Sequence, residues 1–351
     1  MKTLEALLTA PGHFEFIEKE LPPIGEDDIL MQTVSMGLCH SDYPRFAGEI
    51  INENNSFGYP APVPMKYPVV IGHEPVGIVV EVGKNVKRFH PGDTVTGIVR
   101  GAMRTYSLVK QADSKGIFPI PDMEKDFRYC IGEPLGCIVN LIKAASVNYG
   151  DYVAIVGCGF MGLMTLAGFR RSGAKELVAI DTQSEKLELA SKYGATRVLN
   201  PNCQDVEKEA MEITKGHLFD VVVELSGSLQ GLNTACSITK FTHCMGDNGS
   251  NYQRRGRLVW GSVYSKKEVF PVKLAYNLAL RTPDMPAAYP SYSENLYDDT
   301  LEGILSYADG RLPLDEFVSH ELPFQEAEKG FRWMENPPEG YIKGVLLFDG
   351  I

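Results

Sequence analysis

The feature that most narrows the fold is a change of rhythm near residue 133. Beyond it, apolar runs and helix-patterned segments alternate: DYVAIVG, FMGLMTLAGFRRSG, ELVAID, SEKLELASKYGA, RVLN, FDVVVELSG and GRLVWGSV, in that order. Two parallel strands cannot be joined by a tight turn and need a long crossover, usually a helix, so this alternation predicts βαβ units and a parallel sheet. The chain before about residue 130 is built differently. YPVVIGHEPVGIVVEVG, HPGDTVTGIV and YSLVK are short Val- and Ile-rich runs broken by Pro and Gly, the pattern of strands joined by turns. At the junction, EPLGCIVNLIKAASV sets Leu135, Ile138, Val139, Ile142 and Ala145 on a helical period, with Pro134 suited to the first turn. From about residue 291 the pattern is mixed again, and YIKGVLLFDG reads as a closing strand. An α/β unit over 138–290 is therefore expected to interrupt a β-rich unit made of 1–137 and 291–351.

Composition sets the outer limits. A chain of 351 residues suits two domains. Its 44% apolar and 23% charged residues are those of a soluble globular protein. The net charge of −11 argues against nucleic acid as a partner, and the one basic cluster, Arg254, Arg255 and Arg257, reads as a solvated turn. No apolar stretch of about 18 residues offers a membrane span. MKTLEALLTAPG resembles a signal peptide, but Glu5 interrupts a run that is already too short, so it is read as a first strand and the protein as cytoplasmic. Seven cysteines, with no C-x-x-C pair, do not form a disulfide framework.

The run YVAIV leads into Gly157-Cys158-Gly159-Phe160-Met161-Gly162, a G-x-G-x-x-G turn between a strand and a helix. Gly157 allows the tight turn, Gly159 lets the backbone approach a pyrophosphate, and Gly162 lets the helix lie close to the strand. The helix start, with Phe160 and Met161, offers free N–H groups to the phosphates. Asp181 ends the next strand, 22 residues beyond Gly159. A carboxylate there takes the hydroxyls of an adenosine ribose and repels a 2′-phosphate, and Thr182 and Gln183 provide no arginine to welcome one. NAD is expected rather than NADP.

Two polar clusters lie upstream. SMGLCHSDYPRF holds Cys39, His40, Ser41 and Asp42; GHEPVGIVVEVGKNV holds Gly72, His73, Glu74, Gly77, Gly83 and Val86. With the glycine turn and Asp181, these motifs resemble the signature of the zinc-containing alcohol dehydrogenases. Over nearly its whole length the chain is identified as a member of the zinc-dependent alcohol/polyol dehydrogenases of the medium-chain dehydrogenase/reductase family. The resemblance implies a Rossmann-type doubly wound parallel sheet inserted in a β-rich, GroES-like catalytic domain. It implies a catalytic zinc with three protein ligands and one open position. Cys39 and His73 match two ligands. GEPLGC is similar to the polyol branch, where a Glu before Pro-Leu replaces a second cysteine, so Glu133 is the third and Cys137 the alternative.

By the same resemblance, Glu74 approaches the metal during ligand exchange, Asp42 fixes the tautomer of His73, and the Ser41 hydroxyl touches the substrate oxygen. His40 faces the cofactor phosphates, Lys186 lies near the adenosine ribose and Lys343 near the pyrophosphate. GDTVTGIVRGAMRTYSLV lacks the four cysteines that hold a structural zinc in many relatives, so one zinc per chain is expected. Pro44 stands where relatives often carry a relay histidine, which leaves the last proton steps to water or the nicotinamide ribose. Segment 48–66, polar but with Phe57 and Tyr59, reads as a rim over the pocket or a subunit contact. The implied reaction is hydride transfer between a polyol, cyclitol or sugar-like secondary alcohol and NAD, in a homodimer or homotetramer. The competing readings are a zinc-free quinone or enone reductase on the same scaffold and a non-catalytic NAD-binding protein.

Overall fold

A computed structural model describes residues 1–49, 51–54, 60–112, 116–240, 256–262 and 296–348. Parts of the 48–66 segment with Phe57 and Tyr59, the pair Arg254 and Arg255, and residues 263–290 of the expected nucleotide domain lie outside the described residues. The chain divides into two compact units, Met1–Gly136 with Thr300–Ile351, and Cys137–Asp299. No helix among the described residues is long and apolar enough to cross a membrane.

The contiguous unit holds a parallel sheet ordered Arg197–Leu199, Glu176–Ile180, Tyr152–Val156, Val221–Glu224, Arg257–Trp260. Val153 to Val156 are all buried. Successive strand residues point to opposite faces, so both faces of this strand are covered, and its run is apolar without alternation for that reason. The helix Phe160–Phe169 buries Gly162 through Ala167 and Phe169, whereas Ser184–Lys192 buries only Leu187 and Ala190 and keeps a polar outer face. From Tyr152–Val156 the chain winds outward through the next two strands, then crosses back to Val221–Glu224. That reversal opens a crevice at the carboxyl ends of Tyr152–Val156 and Val221–Glu224, where sheets of this topology take their ligands. The G-x-G-x-x-G turn begins there.

The discontinuous unit is built on a seven-stranded sheet, ordered Ile117–Pro119, Thr94–Gly97, Pro75–Val82, Ile29–Gly37, Lys343–Leu347, Val318–Pro323, with Tyr106–Val109 also paired to Ile29–Gly37. Lys2–Ala10, the expected first strand, pairs with His13–Glu20 and Val69–Val70 in a smaller sheet, and Ile51–Asn54 pairs with Pro60–Val63. An aromatic core fills this unit, with Phe46 on Phe331 at 5.1 Å between ring centroids and Phe324 on Phe348 at 4.2 Å. The registers matter most for chemistry. Pro75 sits opposite Met36, and Val345 opposite Gly37. The end of one strand and the beginnings of its two neighbours therefore meet, bringing residues near 38, 74 and 343 to one edge.

Candidate active site

Past Gly37 the chain leaves the sheet through Cys39, which is extended (φ −108°, ψ 133°), and enters a tight 3-10 turn over His40–Asp42. The Asp42 amide donates back to the Cys39 carbonyl at 3.1 Å. This turn crowds three side chains that a straight strand would have separated. The Cys39 Sγ lies 3.2 Å from Ser41 Oγ, and Ser41 Oγ lies 3.4 Å from His73 Nε2. His73 Nδ1 donates to Asp42 Oδ2 at 2.8 Å, and Asp42 is buried. That bond fixes the ring and leaves Nε2 as the nitrogen facing Cys39, Ser41 and Glu133. Glu133 Oε1 stands 4.0 Å from His73 Nε2. Its helix, Gly132–Ala145, is tied to the sheet at its start: Gly132 N donates to Thr96 Oγ1 at 2.8 Å, and Thr96 Oγ1 donates to the Pro75 carbonyl at 3.0 Å.

The electrostatics follow from this crowding. Burial works against a charge on His73, yet its bonds to Asp42 and Cys39 prevail and raise its pKa to about 12. Burial, with the nearby Glu74 charge, pushes the Cys39 thiol up. Ligand atoms of Cys39, His73 and Glu74 all lie within 4.8 Å of one another. A thiol, an imidazole with its second nitrogen already engaged and a carboxylate gathered around one point fit zinc in softness and in offering three ligands.

Glu74, rather than Glu133, completes that tight grouping, and its carboxylate is already held. Lys343 Nζ donates to Glu74 Oε2 at 2.6 Å and to the Leu38 carbonyl at 3.0 Å. Glu74 is 1% exposed and Lys343 5%. Lys343, expected near the pyrophosphate, has its ammonium buried against a carboxylate of its own unit. The cause is register, since antiparallel pairing of Val345 with Gly37 carries Lys343 alongside the 38–39 turn. The Glu74 side chain lies flat on Gly37, where a Cβ would stand only 2.0 Å from its Oε2. Sequence reasoning missed this pair. The only trace of it is a lysine in an otherwise apolar closing strand. His40 is exposed at the start of the 3-10 turn.

In the contiguous unit, the three glycines differ in what demands them. Gly157 has φ +95°, and a Cβ there would lie 2.5 Å from the Ser226 amide nitrogen; one on Gly162 would lie 1.9 Å from the Gly157 oxygen. Gly159 has φ −71°, and nothing within 4 Å would meet its Cβ. The chain itself excludes side chains at the first and third positions only. Room above the second, at a helix N-terminus, is what a pyrophosphate requires, so the turn fits a dinucleotide. Asp181 is fixed beside it, Oδ2 accepting from Cys158 N at 2.7 Å and Oδ1 from Gln183 N at 2.8 Å. Each oxygen keeps a lone pair for a hydroxyl donor. Lys186, half-buried on the next helix, acts electrostatically on Cys158 in the same turn.

With this geometry in place, the comparisons are informative. Residues 25–122 match the alcohol dehydrogenase GroES-like domain, and residues 161–250 the zinc-binding dehydrogenase family. The L-threonine 3-dehydrogenase of Chromobacterium violaceum is 32% identical over 256 residues, 66% of this chain and 72% of that protein. The enzyme of the same name from Caldanaerobacter subterraneus subsp. tengcongensis is 28% identical over 361 residues, 95% of each. Galactitol-1-phosphate dehydrogenase of Escherichia coli shares the fold, with a TM-score of 0.77 at 21% identity over 99% of this chain and 100% of its own. The inserted parallel sheet, the GroES-like unit and these relatives lead to one conclusion: the chain belongs to the zinc-type alcohol dehydrogenases of the medium-chain dehydrogenase/reductase family, oxidoreductases that act on CH–OH groups.

Proposed function

We propose that the chain oxidises the secondary alcohol of a polyol, cyclitol or sugar-like substrate with NAD, using one zinc held by Cys39, His73 and Glu133. The observation that carries this reading is the convergence of Cys39, Ser41, His73 and Glu133, with Asp42 bonded behind the histidine. In this reading the unit of 1–137 and 291–351 is the catalytic domain and 138–290 the NAD-binding domain. Zinc bound there supplies Lewis acidity, making a neighbouring hydroxyl far more acidic than in water. Ser41 takes the proton from the substrate hydroxyl. Asp42 keeps the tautomer of His73 fixed throughout. Gly157, Gly159 and Gly162, with the amides of Phe160 and Met161, hold the pyrophosphate; Asp181 and Lys186 hold the adenosine ribose. His40 lies toward the cofactor phosphates. A nicotinamide dinucleotide held by these residues would supply the hydride acceptor. With Pro44 in place of a relay side chain, the proton leaves Ser41 through water or the nicotinamide ribose.

A single zinc agrees with the segment from Gly92 to Val109, which has no cysteine and runs through buried Ala102 and Met103, bonded to Gly72 and Ile71, into the next strand. A polyol-like substrate agrees with the Glu-type third ligand and with similarity to galactitol-1-phosphate dehydrogenase. We place the enzyme in the cytoplasm as a homodimer or homotetramer. The test is metal analysis with a substrate panel. About one zinc per chain is expected, with NADH formed from polyols, cyclitols or sugars and both lost in Cys39→Ala. Undiminished turnover in metal-stripped Cys39→Ala enzyme refutes the mechanism and favours a zinc-free reductase.

A further inference from the structure

Two carboxylates approach the same imidazole, but they are held in different ways. Glu133 reaches from a helix start to 4.0 Å from His73 Nε2. Glu74 has an oxygen inside the tight group with Cys39 and His73, yet it is buried, lies against Gly37 and is bonded at 2.6 Å to an equally buried ammonium. A buried carboxylate is strongly destabilised unless a positive charge faces it. Lys343 is that charge. Without it, a metal ion beside Cys39 and His73 is a cation within reach of the Glu74 carboxylate.

We propose that Lys343 is a positioning residue that selects which carboxylate binds the metal: by holding Glu74 it leaves the third ligand place to Glu133 and one position open for substrate. The inference rests on the proposed ligand set. Its chemical consequence is a charge balance. One thiolate and one carboxylate neutralise a divalent cation; a second carboxylate would add a negative charge, weaken Lewis acidity and occupy the open place. A buried ion pair at this spot is thus a catalytic setting rather than a stabilising device.

The test is rescue of metal binding, read as zinc retained by the full-length protein after dialysis against a chelator. Glu133→Ala is expected to weaken zinc binding by about tenfold or more. Adding Lys343→Met to it should restore retention, because the freed Glu74 becomes the ligand, and adding Glu74→Gln as well should abolish it again. Lys343→Gln serves if the methionine variant does not fold. In the cobalt-loaded protein, Lys343→Met alone should change the visible spectrum and lower kcat while metal is retained. Glu74→Gln alone, which leaves Lys343 in place, should keep its zinc. A folded Glu133→Ala/Lys343→Met protein that loses metal as readily as Glu133→Ala overturns the selector role and leaves the ligand assignment standing, as does zinc loss in Glu74→Gln. Full zinc retention in Glu133→Ala instead overturns the ligand assignment, and the selector role with it.

Discussion

The middle glycine of the nucleotide turn separates stability from binding in a way few residues do. Gly159 is extended, with an ordinary negative φ of −71°, and has open space where a methyl would go. Alanine therefore fits the folded chain without strain. By restricting the unfolded chain, such a change stabilises by about 0.4–1 kcal/mol. For a unit of this size each kcal/mol moves Tm by about 2–4 °C, so Gly159→Ala should raise the Tm of the cofactor-free protein by about 1–4 °C. In the proposed binding mode the same methyl intrudes where the pyrophosphate approaches. NAD binding should weaken at least about tenfold, or roughly 1.4 kcal/mol.

Gly162→Ala is the contrast. Its Cβ would stand 1.9 Å from the Gly157 oxygen, a backbone atom that cannot swing away. Overpacking of this kind costs about 1–3 kcal/mol or more, so Tm should fall by several degrees. Scanning fluorimetry without cofactor and calorimetric titration with NAD measure the two effects separately. Should Gly159→Ala bind NAD with the parent's Kd, no phosphate approaches that glycine and the assignment of the turn is wrong.

Two further outcomes follow from the geometry. Asp181→Asn keeps the shape of the side chain but removes its charge, so the preference for NAD over NADP in paired titrations should drop at least about tenfold; an unchanged ratio would detach Asp181 from the ribose. In the other unit, burial pushes the Asp28 carboxyl up, but Lys110 at 2.6 Å, together with the Gln111 and Gly25 amides, wins and holds it below the ordinary carboxylate range. With the folded value below the unfolded one, its contribution is fully present above about pH 4 and fades as pH falls through the folded value. Asp28→Asn should thus cost about 1–3 kcal/mol in urea unfolding at neutral pH, and the gap should narrow near pH 3; a gap independent of pH would contradict this.

How much of this was legible beforehand depends on sequence distance. The glycine turn is local: strand, three glycines and helix fall within Tyr152–Phe169, and a reader of the sequence sees all of it. Ser41 and Asp42 lie in one 3-10 turn with Cys39 just before it, and their crowding follows from spacing once a turn is assumed. His73 and Glu133 are farther away, and only the whole-chain resemblance attached them. Lys343 marks where reading stopped. It meets Leu38 across 305 residues and Glu74 across 269, through a strand pairing that no local pattern encodes. The resemblance attaches Lys343 to the pyrophosphate, and nothing in its local sequence announces a buried partner. Its partner was a glutamate already assigned another duty.

The position of Lys343–Leu347, between Ile29–Gly37 and Val318–Pro323, has a bearing on how the protein is made. The unit Cys137–Asp299 is one unbroken stretch and can close on itself while still tethered to the ribosome. The surrounding unit cannot, because a central rung of its main sheet is translated some three hundred residues after its neighbour. Until that rung is made, the ammonium of Lys343 is not beside Glu74, so this buried ion pair forms only after the strand joins the sheet.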